Sequence, residues 1–530
     1  MSRVMTCGEA TIRLLTKYGV NTVFGIPGVH TLDFCRALDK EVRHIQARNE
    51  QGAGFMAEGW ARATGEPGVA VVISGPGVTN VSTALGQAYA DSLPVLVLSA
   101  ETASNTIGKG WGVLHEITEQ KKVTEPLTAF SATAHCAQDV PELLARAFTL
   151  FASQRPRPVH LSIPIDVQAE MVEEEWEPVA LPKRPSAGAS EIAKAAKLLK
   201  DAASPLIMVG GGACGASAEL TIIAERVGAI VIASTAGKGI VDDDHPLSLS
   251  ASTARPQVLK LLSEAGVILA VGTELSETDS FIERMDFKGQ LIRVDIDSKK
   301  INDFYPADLG IIGDAKSVMA KLQAALDDFT SDGREAAEIR VAEVRGQIRA
   351  GLSVAEQQHT AVLETLSSAA PENIVWSGDA CQLVYTGAFM LPVHAPRHWF
   401  YPAGYCALGN ALPNAIGAKL AQPDIPIAVI AGDGGFMFTM PELITAAELQ
   451  LALPIIIWEN GGLKQIQDDM DARQISRVGV EGINPDFVML AKACHCHSAD
   501  TANLDELQSA FQVALKADRP TVIVVHQARS

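Results

Sequence analysis

The sequence predicts an α/β protein made of three domains, each a doubly wound parallel sheet, and three observations carry that expectation. Runs such as "GVAVVIS", "LPVLVLS", "IPIAVIAG" and "LPIIIWE" are strand-length and apolar at nearly every position, as in sheets covered on both faces. They alternate with amphipathic helical stretches, the order expected of parallel strands joined by crossover helices. The 530 residues are too many for one core, and two polar stretches divide them into three blocks.

The first break, "EMVEEEWEPVALPKRPSAGAS" (170–190), passes from an acidic run into prolines. The second, "DDFTSDGREAAEIRVAEVRGQIRAG" (327–351), is charged and is expected to be partly helical. The expected domains are therefore 1–170, 190–328 and 352–530. No short-period repeat or low-complexity tract interrupts them.

Composition excludes several classes of function. A net charge of −19 without a Lys/Arg cluster opposes a nucleic-acid partner. No apolar run approaches the roughly 20 residues of a membrane span, and "MSRVMTCGEATIRLL" lacks the apolar core and cleavage site of a secretory signal. A cytoplasmic protein without a membrane partner is expected. The eight cysteines form no spaced framework, as for reduced thiols. "CHCH" (494–497) has the look of a metal tract, but a strand there would put the cysteines on one face and the histidines on the other.

In the first block, "GVAVVISGPGVTN" predicts a strand over 69–73, a turn at Gly75-Pro76-Gly77 and then a helix, with "LPVLVLSAE" as the next buried strand. Glu50 opens a Gly- and Ala-rich helical stretch, "EQGAGFMAEGWARATG", where the helix dipole stabilises a carboxylate whether or not it has another role. In the middle block, Gly210, Gly212 and Gly215 fit Gly-x-Gly-x-x-Gly after a strand. The ribose-binding acid of a dinucleotide site is missing from "RVGAIVIASTAGKG", about 20 residues on.

The third block repeats the plan and ends two adjacent strands in Asp433, within Gly-Asp-Gly, and Asn460, within Glu-Asn-Gly-Gly. One helix starting near Pro441 is expected between them. A carboxylate, a carboxamide oxygen and a backbone carbonyl are hard ligands suited to Mg²⁺ or Ca²⁺ with phosphate oxygens completing the shell. Gly434 and Gly435 would let backbone amides approach that phosphate. The alternative is a loop in which both side chains only satisfy turn amides.

Taken together, "FGIPG" (24–28), "RNEQGAGFMAEGWARATG" (48–65), "SGPGVTN" (74–80), "DIDS" (295–298), "ALGNALPNAIGAKL" (407–420) and the Gly-Asp-Gly to Asn pattern occur in one order along nearly the whole chain. The sequence thereby resembles the thiamine-diphosphate-dependent enzymes, in particular the group containing acetolactate synthase, benzoylformate decarboxylase and pyruvate decarboxylase. The resemblance implies a pyrimidine-binding first domain, a central domain and a diphosphate-binding third domain. It implies Asp433, Asn460 and the Gly462 carbonyl as Mg²⁺ ligands. It gives Glu50 the task of hydrogen-bonding the aminopyrimidine so that its imino nitrogen can deprotonate the thiazolium carbon. Cys406 and Leu408 would meet the pyrimidine through their backbones, with the Leu408 side chain as the apolar wedge that bends the cofactor, or as a plain core leucine. Ala380, Cys381 and Gln382 would flank the diphosphate with Gly434 and Gly435. It also implies a homodimer or homotetramer with active sites between subunits.

Within this family the adjacent histidines of pyruvate decarboxylase are missing, and Ile73 stands where benzoylformate decarboxylase has a histidine. The flavin-binding stretch of acetolactate synthase has no clear counterpart around "SLSASTARPQVLKLL", so FAD is not expected. "GIPGVHTLDF", "GKGWGVLHE" and "GDACQLVY" resemble the 5-guanidino-2-oxopentanoate (2-ketoarginine) decarboxylase group. The resemblance implies non-oxidative decarboxylation of a small 2-oxo acid to an aldehyde and CO₂, with carboligation to a second carbonyl compound as the alternative. Five and nine positions after Asn460 the family lines its substrate pocket, and here those are Gln465 and Asp469, next to Asp468. An aspartate there suits a guanidinium, although "QDDMDAR" also reads as a solvated helix face. His30 and His115, the imidazoles in pocket-lining motifs, are candidates for supplying the proton that replaces CO₂.

Overall fold

The computed structural model describes residues 4–527, so residues 1–3 of the first expected domain and 528–530 of the third lie outside it. Three large sheets, each parallel throughout, follow one another along the chain, beside a two-stranded antiparallel pair, Met5–Thr6 with Met171–Val172. The first runs Arg43–Gln46, Thr22–Gly25, Gly68–Val72, Val95–Glu101, Val159–Pro164 and Phe130–Thr133 across the sheet. The second runs Ile230–Ala233, Pro205–Val209, Val267–Val271, Gln290–Asp295 and Leu309–Ile312. The third runs Trp399–Phe400, Val375–Gly378, Ile427–Gly432, Pro454–Glu459, Thr521–His526 and His497–Thr501.

This winding decides where ligands can bind. In each sheet the chain goes first to one edge and then returns to build towards the other, leaving a crevice where the order reverses. In the first sheet that point lies between Thr22–Gly25 and Gly68–Val72, whose carboxyl ends carry "IPG" and "SGPG". In the third it lies between Val375–Gly378 and Ile427–Gly432, which run into "DACQ" and "DGG". The apolar runs supply the strands, and the glycine-rich tails stand at the switch points.

The two outer domains share one core. Phe24, Met56 and Val81 of the first pack with Leu412, Ile416 and Phe436 of the third. Helix Glu50–Thr64 crosses helix Ala411–Ala421 at glycine contacts. A Cβ on Gly59 would lie 2.1 Å from the Asn414 carbonyl, and one on Gly417 would lie 1.9 Å from that of Met56. Any side chain at either position would force the helices apart. The charged second break is mostly helix, Arg334–Ala350, and it buries Val341, Val344 and Ile348 in the core of the middle sheet.

Two local expectations are corrected. The helix expected near Pro441 is Glu442–Glu448, but Pro441 is its N-cap residue rather than part of its first turn, and a single helical turn, Asp433–Phe436, precedes it. The "CHCH" tract is not a strand. Helix Phe487–Ala493 ends at Cys494, His495 takes a left-handed φ of 61°, and the strand begins only at His497. Cys494 and Cys496 are buried in the apolar core while His497 pairs Asp518 at the surface, so the four side chains do not converge. No helix among the described residues is long and apolar enough to cross a membrane.

Candidate active site

At the switch point of the third sheet, Asp433 is fully buried at the end of its strand. Its Oδ1 accepts from the Gly434 N–H at 2.8 Å. Its Oδ2 accepts from the N–H groups of Gly461 and Gly462 at 2.9 and 3.0 Å and from Asn484 Nδ2 at 2.8 Å. One carboxylate oxygen thus orders the whole Asn460–Gly462 turn. The other belongs to a different arrangement: the Asn460 carboxamide presents one atom to the Gly462 carbonyl at 3.2 Å and to Asp433 Oδ1 at 3.3 Å. With nitrogen there the amide donates to both. With oxygen there, it lies from each of the other two at a distance near the roughly 3 Å edge of an octahedron with Mg–O bonds of about 2.1 Å. Only a cation makes that second orientation favourable.

The glycine turn beside these oxygens is tied down by Asp379, a residue the sequence motifs do not single out. Its buried carboxylate accepts from the Ala380 N–H at 2.8 Å and from the Gly409 N–H at 2.8 Å. Burial pushes its pKa up to about 6 against those donors. Gly435 faces the same carboxylate, 3.2 Å from where its Cβ would be. Thr439 donates to the Gly409 carbonyl. The loop that carries Cys406, at a left-handed φ of 55°, and the half-buried Leu408 is therefore fastened to the turns holding Ala380, Gly434 and Gly435. Cys381 is buried as the N-cap residue of helix Gln382–Met390, and burial raises its thiol to about 12.

Gln382, at the start of that helix, reaches helix Lys464–Ala472. Its Nε2 donates to Asp468 Oδ2 at 2.9 Å and to Gln465 Oε1 at 3.2 Å. Asp468 is also paired with Lys464 one turn earlier. Asp469 receives a 3.4 Å contact from Gln465 Nε2, is exposed, and makes no ion pair among the described residues. The structure thus separates two neighbouring aspartates, one matched by a cation of its own chain and one free to meet a cation from outside.

The remaining predicted residues gather at the switch point of the first sheet. Glu50 begins its helix after the N-cap Asn49 and accepts from Asn80 Nδ2 at 2.9 Å. The N-terminus of this helix is held by Glu442 of the third domain, which accepts from the Arg48 and Asn49 N–H groups at 3.0 and 3.2 Å. A Cβ on Gly52 would lie 2.2 Å from that carboxylate. Gly52→Ala is therefore expected to displace Glu442 and lower stability by roughly 1–3 kcal/mol, the cost of buried groups left unpaired. Urea unfolding of the variant measures it.

His30 Nδ1 lies 2.6 Å from Ser74 Oγ, and its ring meets that of His115 edge-on at 5.1 Å. His115 adopts a left-handed φ of 63°, and its buried Nδ1 has no hydrogen-bond partner among the described residues. The loop presses on Gly75, whose φ is 60° and whose Cβ would lie 2.5 Å from the His115 carbonyl. Gln120 secures that turn by accepting from the Gly75 N–H at 2.7 Å. Asn80, Glu442 and Gln120, like Asp379, lack a chemical signature in sequence because each acts through a contact far along the chain.

The middle-domain glycines occupy their own switch point. Gly210, Gly212 and Gly215 line a cavity of about 700 Å³ between the three domains, opposite Gly272. After the strand they form a 3₁₀ turn, Gly211–Ala216, before helix Ser217–Val227.

Matches to three family descriptions cover these units. Residues 5–123 match the "Thiamine pyrophosphate enzyme, N-terminal TPP binding domain", residues 192–322 the central domain and residues 379–525 the C-terminal TPP binding domain. The chain is also 45% identical to a probable 2-ketoarginine decarboxylase, AruI, of Pseudomonas aeruginosa, over 99% of this chain and 95% of that one. It belongs to the thiamine pyrophosphate enzymes. A probable acetolactate synthase large subunit of Methanocaldococcus jannaschii is 32% identical, over 98% of this chain and 91% of its own. The isozyme 3 large subunit of Escherichia coli acetolactate synthase is 30% identical, over 98% and 94%. In this thiamine diphosphate enzyme, the two terminal domains that match the cofactor-binding families are the two whose switch points hold the predicted residues.

Proposed function

We propose that this enzyme decarboxylates 5-guanidino-2-oxopentanoate (2-ketoarginine), releasing CO₂ and the corresponding aldehyde, with thiamine diphosphate and Mg²⁺ and without flavin. The bond broken joins the 2-oxo carbon to the carboxylate, and a proton takes the place of CO₂. The bound cofactor supplies the electron sink for that cleavage. The protein supplies the positioning. Asp433 Oδ1, Asn460 Oδ1 and the Gly462 carbonyl hold Mg²⁺, with Gly434, Gly435, Ala380, Cys381 and Gln382 around the diphosphate. Cys406 and Leu408 meet the pyrimidine, Glu50 manages its proton, and His30 and His115 face the reacting carbon. The domains are 1–170, 190–328 and 352–530.

The site is completed between subunits of a homodimer or homotetramer in the cytoplasm, the first domain of one meeting the third of its neighbour. The loop bearing His115 supports this arrangement, since it exposes Trp111 and Leu114 at 66% and 57%, apolar side chains that a second copy would cover.

The choice of substrate is carried by Asp469, a carboxylate that pairs no cation among the described residues, on the helix that follows the proposed metal ligands. The 45% identity to the Pseudomonas protein points the same way. Asp469→Asn is expected to lower kcat/KM for 2-ketoarginine by roughly 1.5–3 kcal/mol, the range for a hydrogen bond to a charged group, while uncharged 2-oxo acids change little. A folding defect would depress both substrates together, whereas a lost ion pair changes their ratio. An unchanged ratio would contradict the assignment. Carboligation is the second reading, favoured by the acetolactate synthase relatives.

A further inference from the structure

The contact between Ser74 and His30 decides which nitrogen of that imidazole carries the proton. Ser74 is wholly buried, and its hydroxyl has one hydrogen-bond partner among the described residues, His30 Nδ1 at 2.6 Å. If Nδ1 carried the proton and donated, the serine hydrogen would be left buried and unpaired, at the cost of an unsatisfied donor. If the serine donates instead, Nδ1 is the acceptor and the ring proton of the neutral imidazole must sit on Nε2. The backbone is fixed too: Gln168 Nε2 donates to the His30 carbonyl at 3.1 Å, and Thr31 closes the turn on Gly28.

We propose that Ser74 is a positioning residue that locks His30 as the neutral Nε2–H tautomer, so that His30 meets the 2-oxo acid as a hydrogen-bond donor. The burial of His30 beside His115, which lowers its pKa, agrees with a ring that stays neutral. The inference rests on the proposed placement of both histidines at the reacting carbon.

The test is nitrogen NMR of the ¹⁵N-histidine-labelled holoenzyme without substrate, with the His30 signals assigned by their loss in His30→Gln. An unprotonated Nδ1 and a protonated Nε2 are expected in the wild type, and a mixture of tautomers in Ser74→Ala. With substrate, Ser74→Ala should lose about 10-fold in kcat/KM, the scale of one hydrogen bond, at unchanged affinity for thiamine diphosphate. Ser74→Thr, which keeps the hydroxyl, should recover both the tautomer and the rate. A protonated Nδ1 in the wild type overturns the proposal, as does a rate loss in Ser74→Ala with the tautomer unaltered. A locked tautomer combined with full activity of His30→Gln leaves Ser74 holding an idle ring and refutes the placement of His30 instead.

Discussion

Glu50→Gln is expected to fold, bind thiamine diphosphate and lose at least about 100-fold in turnover, the scale of a missing proton-transfer group. The substitution keeps the length of the side chain and an oxygen for Asn80 Nδ2, so the 2.9 Å contact survives. The backbone around it is held by Asn49 and Glu442 and does not depend on the carboxylate. What disappears is a group able to exchange a proton. The decisive readout is the rate of hydrogen–deuterium exchange at the thiazolium carbon of bound cofactor, which should fall with turnover while cofactor affinity holds. Near-normal exchange would remove Glu50 from the proton path.

Asp433→Ala should act at the earlier step of binding. The substitution removes one hard oxygen from the converging set. It also strands the Gly461 and Gly462 N–H groups that Oδ2 accepts from and leaves the Asn484 amide with Glu459 as its partner. Outer groups that merely orient metal ligands are worth about 10- to 100-fold in affinity, so losing a ligand together with the turn it orders should cost more than about 100-fold. Titration of apoenzyme with thiamine diphosphate and Mg²⁺ measures this. Unchanged affinity would mean that Asp433 only satisfies turn amides.

The parts of this protein that were legible in its sequence are those where one short stretch both forms an element and carries the chemistry. An all-apolar strand running into Gly-Asp-Gly announces a buried parallel strand and the switch point at its end, and Asp433 and Asn460 do stand just past the ends of adjacent strands with their side chains facing. Glu50 at the head of a glycine-rich helix was equally local. The residues that sequence did not single out are those whose meaning comes from a distant partner. Glu442 holds the Glu50 helix across about 390 positions, and Asp379 fastens a loop 30 residues on.

Some of the missed information was local but lacked a deciding term. Lys464 is four residues before Asp468 and Arg473 four residues after Asp469, both the spacing of a helical ion pair, and only the folded helix shows that the first pair forms. The "CHCH" tract misled for a different reason. Alternation suggests a strand, but the apolar face of the preceding helix buries Cys494 and Cys496, and the chain must turn at His495 before the strand can begin.

The measurement that tests the account most directly is product analysis with 2-ketoarginine as the sole 2-oxo acid, purified enzyme, thiamine diphosphate and Mg²⁺. One CO₂ and one guanidino aldehyde are expected for each 2-ketoarginine consumed, at a rate that requires both cofactor components and is much higher than with uncharged 2-oxo acids. A hydroxyketone or acetolactate-type product from uncharged 2-oxo acids, with 2-ketoarginine left unconsumed, would contradict it and make the enzyme a carboligase.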